Sequence, residues 1–304
     1  METSLAAMPV SGTLRRPHGD GMHIAIVGAG RIGSAFAFHL SRAGHEVTLV
    51  ARGARLAELR ASGKIISVDG REASVRATDA LDPSFSFDLV LVTVLAHQAD
   101  ALLPELRAST AKSVMFMFNT FGPVEPLRDA VGAPRFVSAF PNMTAFFVDG
   151  RLKSVVDGPG MVTTLSSAPW AEVFRMAGLP AEVEPDMTAF LRSHVAFVVP
   201  LFLAALRTWK RGTELTWVEA KALVEAMREG FAVVRALGHP LRPAMLGAVA
   251  KAPRWLLTLV VWAFSRTSAV KDLGAFGPGE TRALIDAMAA AAPGQTTRLL
   301  ALRP

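Results

Sequence analysis

Met22–Val27 is an unbroken apolar run that ends at a glycine, the pattern of a strand buried on both faces. Ala35–Ala43 then repeats apolar residues at helical spacing, and Gly44 stands where a helix C-cap belongs. Glu46–Ala51 reads as a second strand and Arg55–Ala61 as a helix. Asp88–Val94, Ser113–Phe118, Arg135–Ala139 and Met161–Leu165 read as further strands, with helical Gln98–Arg107 and Val124–Val131 between them. Strands and helices alternating in this way predict an α/β domain built on a doubly wound parallel sheet. The pattern changes near Pro185. Met187–Trp209, Glu214–Leu237, Ala244–Lys251, Trp255–Phe264 and Thr281–Ala291 all carry helical periodicity, punctuated by Gly212, Gly238-His239-Pro240 and Gly277-Pro278-Gly279. The expected organisation is an extension over residues 1–20, an α/β domain over 21–185 and an all-helical domain over 186–304.

Composition narrows the partners. Apolar residues make up 51% and charged residues 19%, which excludes a disordered or collagen-like chain. The net charge of +6 and a pI near 10.3 raise the question of nucleic acid. The basic residues are scattered without a run of four, so no polyanion groove is expected. Cysteine is absent, which excludes disulfides, thiolate metal sites and cysteine catalysis and fits a cytoplasmic setting. Tyrosine is absent as well, removing the general acid of several reductase classes. Met1–Asp20 lacks the apolar core of a secretory signal and reads as a disordered extension. The oily runs Val195–Leu206 and Trp255–Phe264 are shorter than the roughly 20 residues of a spanning helix, so both read as buried core helices and no membrane partner is expected.

The sharpest chemical signal is Gly28-Ala29-Gly30-Arg31-Ile32-Gly33, a G-x-G-x-x-G that follows a strand and opens a helix. The first glycine permits the tight turn, the second admits a pyrophosphate to the backbone, and the third lets helix and strand pack closely. This is the phosphate loop of a Rossmann-type dinucleotide domain. The second strand ends in Val50-Ala51-Arg52-Gly53 and carries no carboxylate for a ribose 2′-hydroxyl. Arg52, with Arg31 and Arg55 nearby, suits a 2′-phosphate instead, so NADPH is the expected cofactor; a merely solvated arginine is the plainer alternative.

With these motifs in hand, the chain resembles ketopantoate reductase (2-dehydropantoate 2-reductase) and its relatives. The resemblance rests on Gly28–Gly33, on Val50-Ala51-Arg52-Gly53, on Val94-Leu95-Ala96-His97-Gln98 and on Asn119-Thr120-Phe121-Gly122, followed by a helical carboxy-terminal domain. It implies NADPH-dependent reduction of a 2-keto acid in a cleft between two domains, with Gln98 among the cofactor contacts. It also implies roles for Asn119 on the cofactor ribose or a substrate oxygen, for Ser268 on the substrate carboxylate and for Glu280 beside it. Ser268, Asp272 and Glu280 reproduce the family's spacing. Each has a structural alternative: Asn119 as a strand-end turn residue, Glu280 as a carboxylate offsetting a helix macrodipole.

The chain departs from the family at its lysines. Leu95 stands where a lysine is usual, and Asp186–Pro200 holds neither the lysine general acid nor the asparagine that follows it. Arg192, Ser193 and His194 are nearest. Arginine is too weak an acid, so His194 is the candidate proton donor, against a histidine satisfied within an oily core. Two readings follow. One is an NADPH-dependent reductase of a small 2-keto acid or related substrate, possible as a homodimer. The other is a catalytically degenerate NADPH-binding relative acting as a sensor or partner subunit.

Overall fold

The computed structural model describes residues 21–158, 160–267, 270 and 278–304. The extension over 1–20 lies outside them, as do Ser268 and Asp272.

The amino-terminal part is an eight-stranded sheet. Its middle is β1 (His23–Val27), flanked by β2 (Glu46–Val50) and β6 (Leu89–Val92), with β7 (Ser113–Met117) and β8 (Phe136–Phe140) continuing outward and β5 (Arg76–Thr78) on the far side of β2. These six strands are mutually parallel. The sheet then extends through β11 (Thr163–Leu165), antiparallel to β8, and β12 (Ala181–Val183), parallel to β11. Burial on both faces follows from the period-two register of the central strands. Ile24, Ile26, Leu89, Leu91, Met115 and Met117 join one core with Phe36, Phe38 and Leu40 of α1 (Arg31–Arg42). Ala25, Val27, Val90, Val92, Val114 and Phe116 join the core on the opposite face.

Two hairpins cover α1: β3 (Lys64–Ile66) with β4 (Glu72–Ser74), and β9 (Thr144–Val148) with β10 (Arg151–Val155). Shorter helices complete this part: α2 (Gly53–Ser62), α3 (Ala96–Ala99), α4 (Leu103–Ala108), α5 (Glu125–Val131) and α6 (Ala168–Met176).

Every described element after β12 is helical: α7 (Met187–Arg211), α8 (Trp217–Ala236), α9 (Ala244–Lys251), α10 (Arg254–Phe264), α11 (Pro278–Ala291) and α12 (Thr297–Ala301). Asp186 caps α7 by accepting from the Ala189 N–H at 3.0 Å, and a Thr216–Glu219 capping box starts α8. Gly230 lets α8 approach α7 closely, since a Cβ there would stand 3.0 Å from that of Ala196. Two apolar contacts join the helices to the sheet. Phe121, just beyond β7, is fully buried in the helical core, and Phe140 at the end of β8 packs with Met187, Phe190 and Leu191 of α7.

The oily segments behave differently from one another. Met187–Arg211 is long and apolar enough to cross a membrane, but 72% of its most apolar window is packed inside the protein. Trp255–Phe264, expected to be buried, is only half so. Thr258 and Val261 point into the core while Trp255, Leu256, Leu259 and Val260 form an exposed apolar stripe. The periodicity is helical; the outward face of α10 is simply apolar too.

Candidate active site at the carboxyl edge of the sheet

Because β1, β2, β6 and β7 are parallel, the loops after their last residues gather along one edge. The first is the glycine loop. Gly28 adopts a positive φ of +110°, and its N–H donates to Val50 O at 3.1 Å. Thr93, just after β6, donates its Oγ1 hydrogen to Gly28 O at 2.8 Å and locks the loop from beneath. Gly33 permits helix and loop to touch, for a Cβ there would stand 1.9 Å from Gly28 O and 2.6 Å from Thr93 Oγ1. Gly30 is different in kind. It takes an extended conformation before α1, and a Cβ on it would meet nothing within 4 Å.

The first turn of α1 has no side-chain cap and no acidic residue. A backbone that leaves room above Gly30 and a helix start open to anions fit a pyrophosphate. Arg31 is the first residue of α1, and Ile32 behind it packs against the core.

At the end of β2, Arg52 is the exposed N-cap residue of α2, and its side chain makes no hydrogen bond among the described residues. Arg55, one turn on, is already engaged. It donates to Ser34 Oγ at 3.1 Å and Glu58 Oε1 at 2.7 Å, and its guanidinium lies 4.7 Å from the centre of the Phe147 ring. Ser34 in turn donates to Ala29 O, so Arg55 braces the glycine loop. Arg52 is left as the uncommitted cation at the place where a 2′-phosphate would be read. Gln98 has a local task as well: its Oε1 accepts from the Leu95 N–H at 3.0 Å and caps α3.

Beyond β7, Asn119 and Glu280 meet across 161 positions of sequence, with Asn119 Nδ2 donating to Glu280 Oε1 at 2.9 Å. The other end of the same amide, Oδ1, is buried and has no hydrogen-bond partner among the described residues. A buried acceptor left open costs about 1–3 kcal/mol, so it calls for a hydroxyl or N–H from a ligand. Glu280 lies in the first turn of α11, where the macrodipole favours a carboxylate. The structural and functional readings of Glu280 thus describe one arrangement.

His194 sits among aromatic rings. Its ring packs 4.0 Å from that of Phe140 and 6.2 Å from that of Phe190, centroid to centroid, and makes no hydrogen bond among the described residues. Burial alone lowers its pKa to about 4. At neutral pH the imidazole is therefore uncharged and holds no acidic proton for a nascent alkoxide. That is a physical obstacle to the expected general-acid role.

The same shift sets a stability prediction. The folded-state pKa lies below the ordinary 6.5, so the unfolded chain takes up this proton first as pH falls. Stability is full above about pH 6.5 and declines towards pH 4, at up to ~1.4 kcal/mol per pH unit. His194→Phe should flatten that limb of a denaturation-versus-pH curve, and an unchanged limb would show that the ring titrates normally.

Thr93 and Arg192 gain their roles only from the fold. Arg192, on α7, donates from Nε to Phe121 O at 3.2 Å and from Nη1 to His239 Nε2 at 2.6 Å. From sequence, His239 belongs only to the punctuating Gly238-His239-Pro240, and Thr93 lies inside the predicted strand Asp88–Val94. A polar residue ending the apolar run Leu89–Val92 was the available signal for the latter.

A separate cleft of about 640 Å³, lined by His23, Arg42, Glu46 and Arg76 among others, opens at the amino ends of β1, β2 and β5, the opposite edge of the sheet.

Known proteins share this architecture. Residues 24–164 match the family described as Ketopantoate reductase PanE/ApbA. The 2-dehydropantoate 2-reductase of Vibrio cholerae is 33% identical over 141 residues, 45% of this chain and 43% of that protein. The match thus spans less than half the length of that curated relative. Among solved structures, 2-dehydropantoate 2-reductase from Geobacter metallireducens superposes with a TM-score of 0.73 at 20% identity, covering 93% of this chain and 98% of that one. D-mandelate dehydrogenase, in a ternary structure with NADH and anilino(oxo)acetate, superposes with a TM-score of 0.65 at 16% identity over 93% and 98%. Likeness at such low identity establishes a shared fold, and the fold spans nearly the whole chain.

Proposed function

We propose, from the match of residues 24–164 to the ketopantoate reductase PanE/ApbA family, that this protein is an NADPH-dependent reductase of a small 2-keto acid. The observation that carries the reading is the Asn119–Glu280 pair, which joins the strand edge to the helical part and leaves a buried amide oxygen open at the same edge as the glycine loop. The bound nicotinamide would supply the hydride. The protein's part is to bind and orient. Gly28–Gly33 and the start of α1 hold the pyrophosphate, and Arg52 pairs with the 2′-phosphate. The open Oδ1 of Asn119 accepts from a ribose or product hydroxyl. Glu280 fixes the Asn119 amide so that Oδ1 keeps one direction, the kind of preorganisation that costs nothing at the moment of reaction.

The direct test is loss of NADPH absorbance with a panel of 2-keto acids, from pyruvate to ketopantoate and benzoylformate. Turnover with none of them, alongside tight NADPH binding, would favour the second reading of a cofactor-binding protein without turnover. That reading draws on the neutral His194 and on α7, whose single lysine, Lys210, stands at its carboxyl end far from the strand edge.

Cofactor choice is testable separately. Arg52→Asp should weaken NADPH binding by roughly 10- to 100-fold, the scale of lost charge-assisted hydrogen bonds, and leave NADH little changed. Calorimetric titration reads both. Equal affinity of the natural protein for the two cofactors would show that Arg52 is only a solvated helix cap.

A further inference from the structure

We infer that Arg192 receives the carboxylate of the substrate and that His239 holds it in place to do so. The inference rests on the reductase reading and names the side chain that would hold the carboxylate of its substrate.

Arg192 is a half-buried guanidinium with no carboxylate partner among the described residues. Its two protein hydrogen bonds both go to neutral acceptors, Phe121 O and His239 Nε2. Arginine cannot accept a hydrogen bond, so Nε2 must be the acceptor, which makes the imidazole neutral with its proton on Nδ1. A guanidinium offers five N–H donors, and these two contacts leave three. A partly desolvated cation answered only by neutral groups is an incomplete ion pair, and a planar carboxylate completes it with two parallel hydrogen bonds.

Position selects the ligand. The loop after β7 touches Glu280 through Asn119 and Arg192 through Phe121. These two loop residues are two positions apart, so their Cα atoms lie within about 7 Å. One end of this short stretch thus presents a carboxylate and an open amide oxygen, the other a cation. A 2-oxo acid carries its charge at one end of two adjacent carbons. Its carboxylate is repelled by Glu280 and drawn to Arg192, which puts the second carbon on the Asn119 side, where Oδ1 can accept from the hydroxyl that reduction creates. His239 acts through Arg192 as a positioning residue: with Phe121 O it fixes two edges of the guanidinium and leaves the rest for the ligand.

The experiment is calorimetric titration of NADPH-saturated protein with oxamate, an unreactive 2-oxo-acid analogue, and with its neutral counterpart oxamide. Arg192→Met should weaken oxamate roughly 10- to 100-fold, with oxamide and NADPH affinities within about twofold of the natural protein. Arg192→Lys keeps the charge but not the fork, and should retain part of the discrimination. It also serves if the methionine variant is too unstable to study. His239→Ala should lose oxamate affinity, and His239→Gln, whose amide oxygen can accept from Arg192, should recover it.

The inference is overturned if the natural protein does not prefer oxamate to oxamide, or if Arg192→Met (or Arg192→Lys in its place) leaves that preference intact. It is overturned for His239 if alanine and glutamine behave alike. The outcomes separate from those of the reductase reading. A protein that binds oxamate through Arg192 yet oxidises NADPH with no 2-keto acid ends that reading and keeps this one. Turnover of 2-keto acids undiminished in an Arg192 variant does the reverse.

Discussion

Gly30→Val is expected to leave the cofactor-free protein as stable as before while abolishing its response to NADPH. Two features separate these effects. Gly30 has an extended backbone, φ −73° and ψ −165°, that valine adopts without strain, and a Cβ there meets nothing within 4 Å. The folded chain has no reason to notice, and the shift in stability should stay within about 0.5 kcal/mol. The space above Gly30 is, however, where a pyrophosphate would approach the backbone. An isopropyl group there occupies the anion's position and blocks the open start of α1. The natural protein at a cofactor concentration a hundredfold above Kd gains about 2.7 kcal/mol. For a chain of this size that is a rise of roughly 5–10 °C in Tm. The variant should show an unchanged Tm without NADPH and almost no rise with it. A normal NADPH-induced rise in the folded variant would mean that the loop does not carry the phosphates.

This loop could be read from sequence because its constraints are local: three glycines at fixed spacing between an apolar run and a helical one. The same holds for the central strands, whose runs Leu89–Val92 and Ser113–Met117 are buried on both faces. The two hairpins over α1 were missed although one of them carries a plain signal. Asp149 and Gly150 both have positive φ, +49° and +75°, in the two-residue turn between β9 and β10, and Asp-Gly is a characteristic pair for such a turn. The strands around it alternate weakly because each is only five residues long and one end is exposed.

The candidate site was legible in part. Asn119 and Glu280 each came from the family's spacing, but their hydrogen bond is a product of the tertiary fold. His194 shows the limit most clearly. A histidine in a helix is equally compatible with a proton donor and with a ring packed on phenylalanines. The choice between them depends on Phe140, 54 positions away, which no periodicity places. Arg192 could be seen as a cation in the right segment. That no carboxylate pairs with it among the described residues becomes visible only in the folded structure.

Gly33→Ala should act in the opposite order to Gly30→Val, destabilising the protein before any cofactor is added. The alanine methyl would fall 1.9 Å from Gly28 O and 3.1 Å from Gly28 C, which are backbone atoms, and 2.6 Å from Thr93 Oγ1. The hydroxyl could rotate away. The carbonyl cannot, because Gly28 is held by its N–H to Val50 O and by Thr93 Oγ1 at its own oxygen. Relief therefore requires α1 to move off β1, which opens the packing of Phe36, Phe38 and Leu40 against Ile24 and Ile26. Overpacking of this kind costs about 1–3 kcal/mol and sometimes more. The cofactor-free Tm should fall by roughly 2–10 °C. Cofactor affinity should fall too, since the start of α1 is displaced from the loop. Adding Thr93→Ala should not restore stability, because it removes the lesser clash and also the hydrogen bond that locks Gly28. Equal Tm values for Gly33→Ala and the natural protein would show that α1 and the loop are not in the contact described. Restoration by Thr93→Ala would instead locate the conflict at the hydroxyl rather than the backbone.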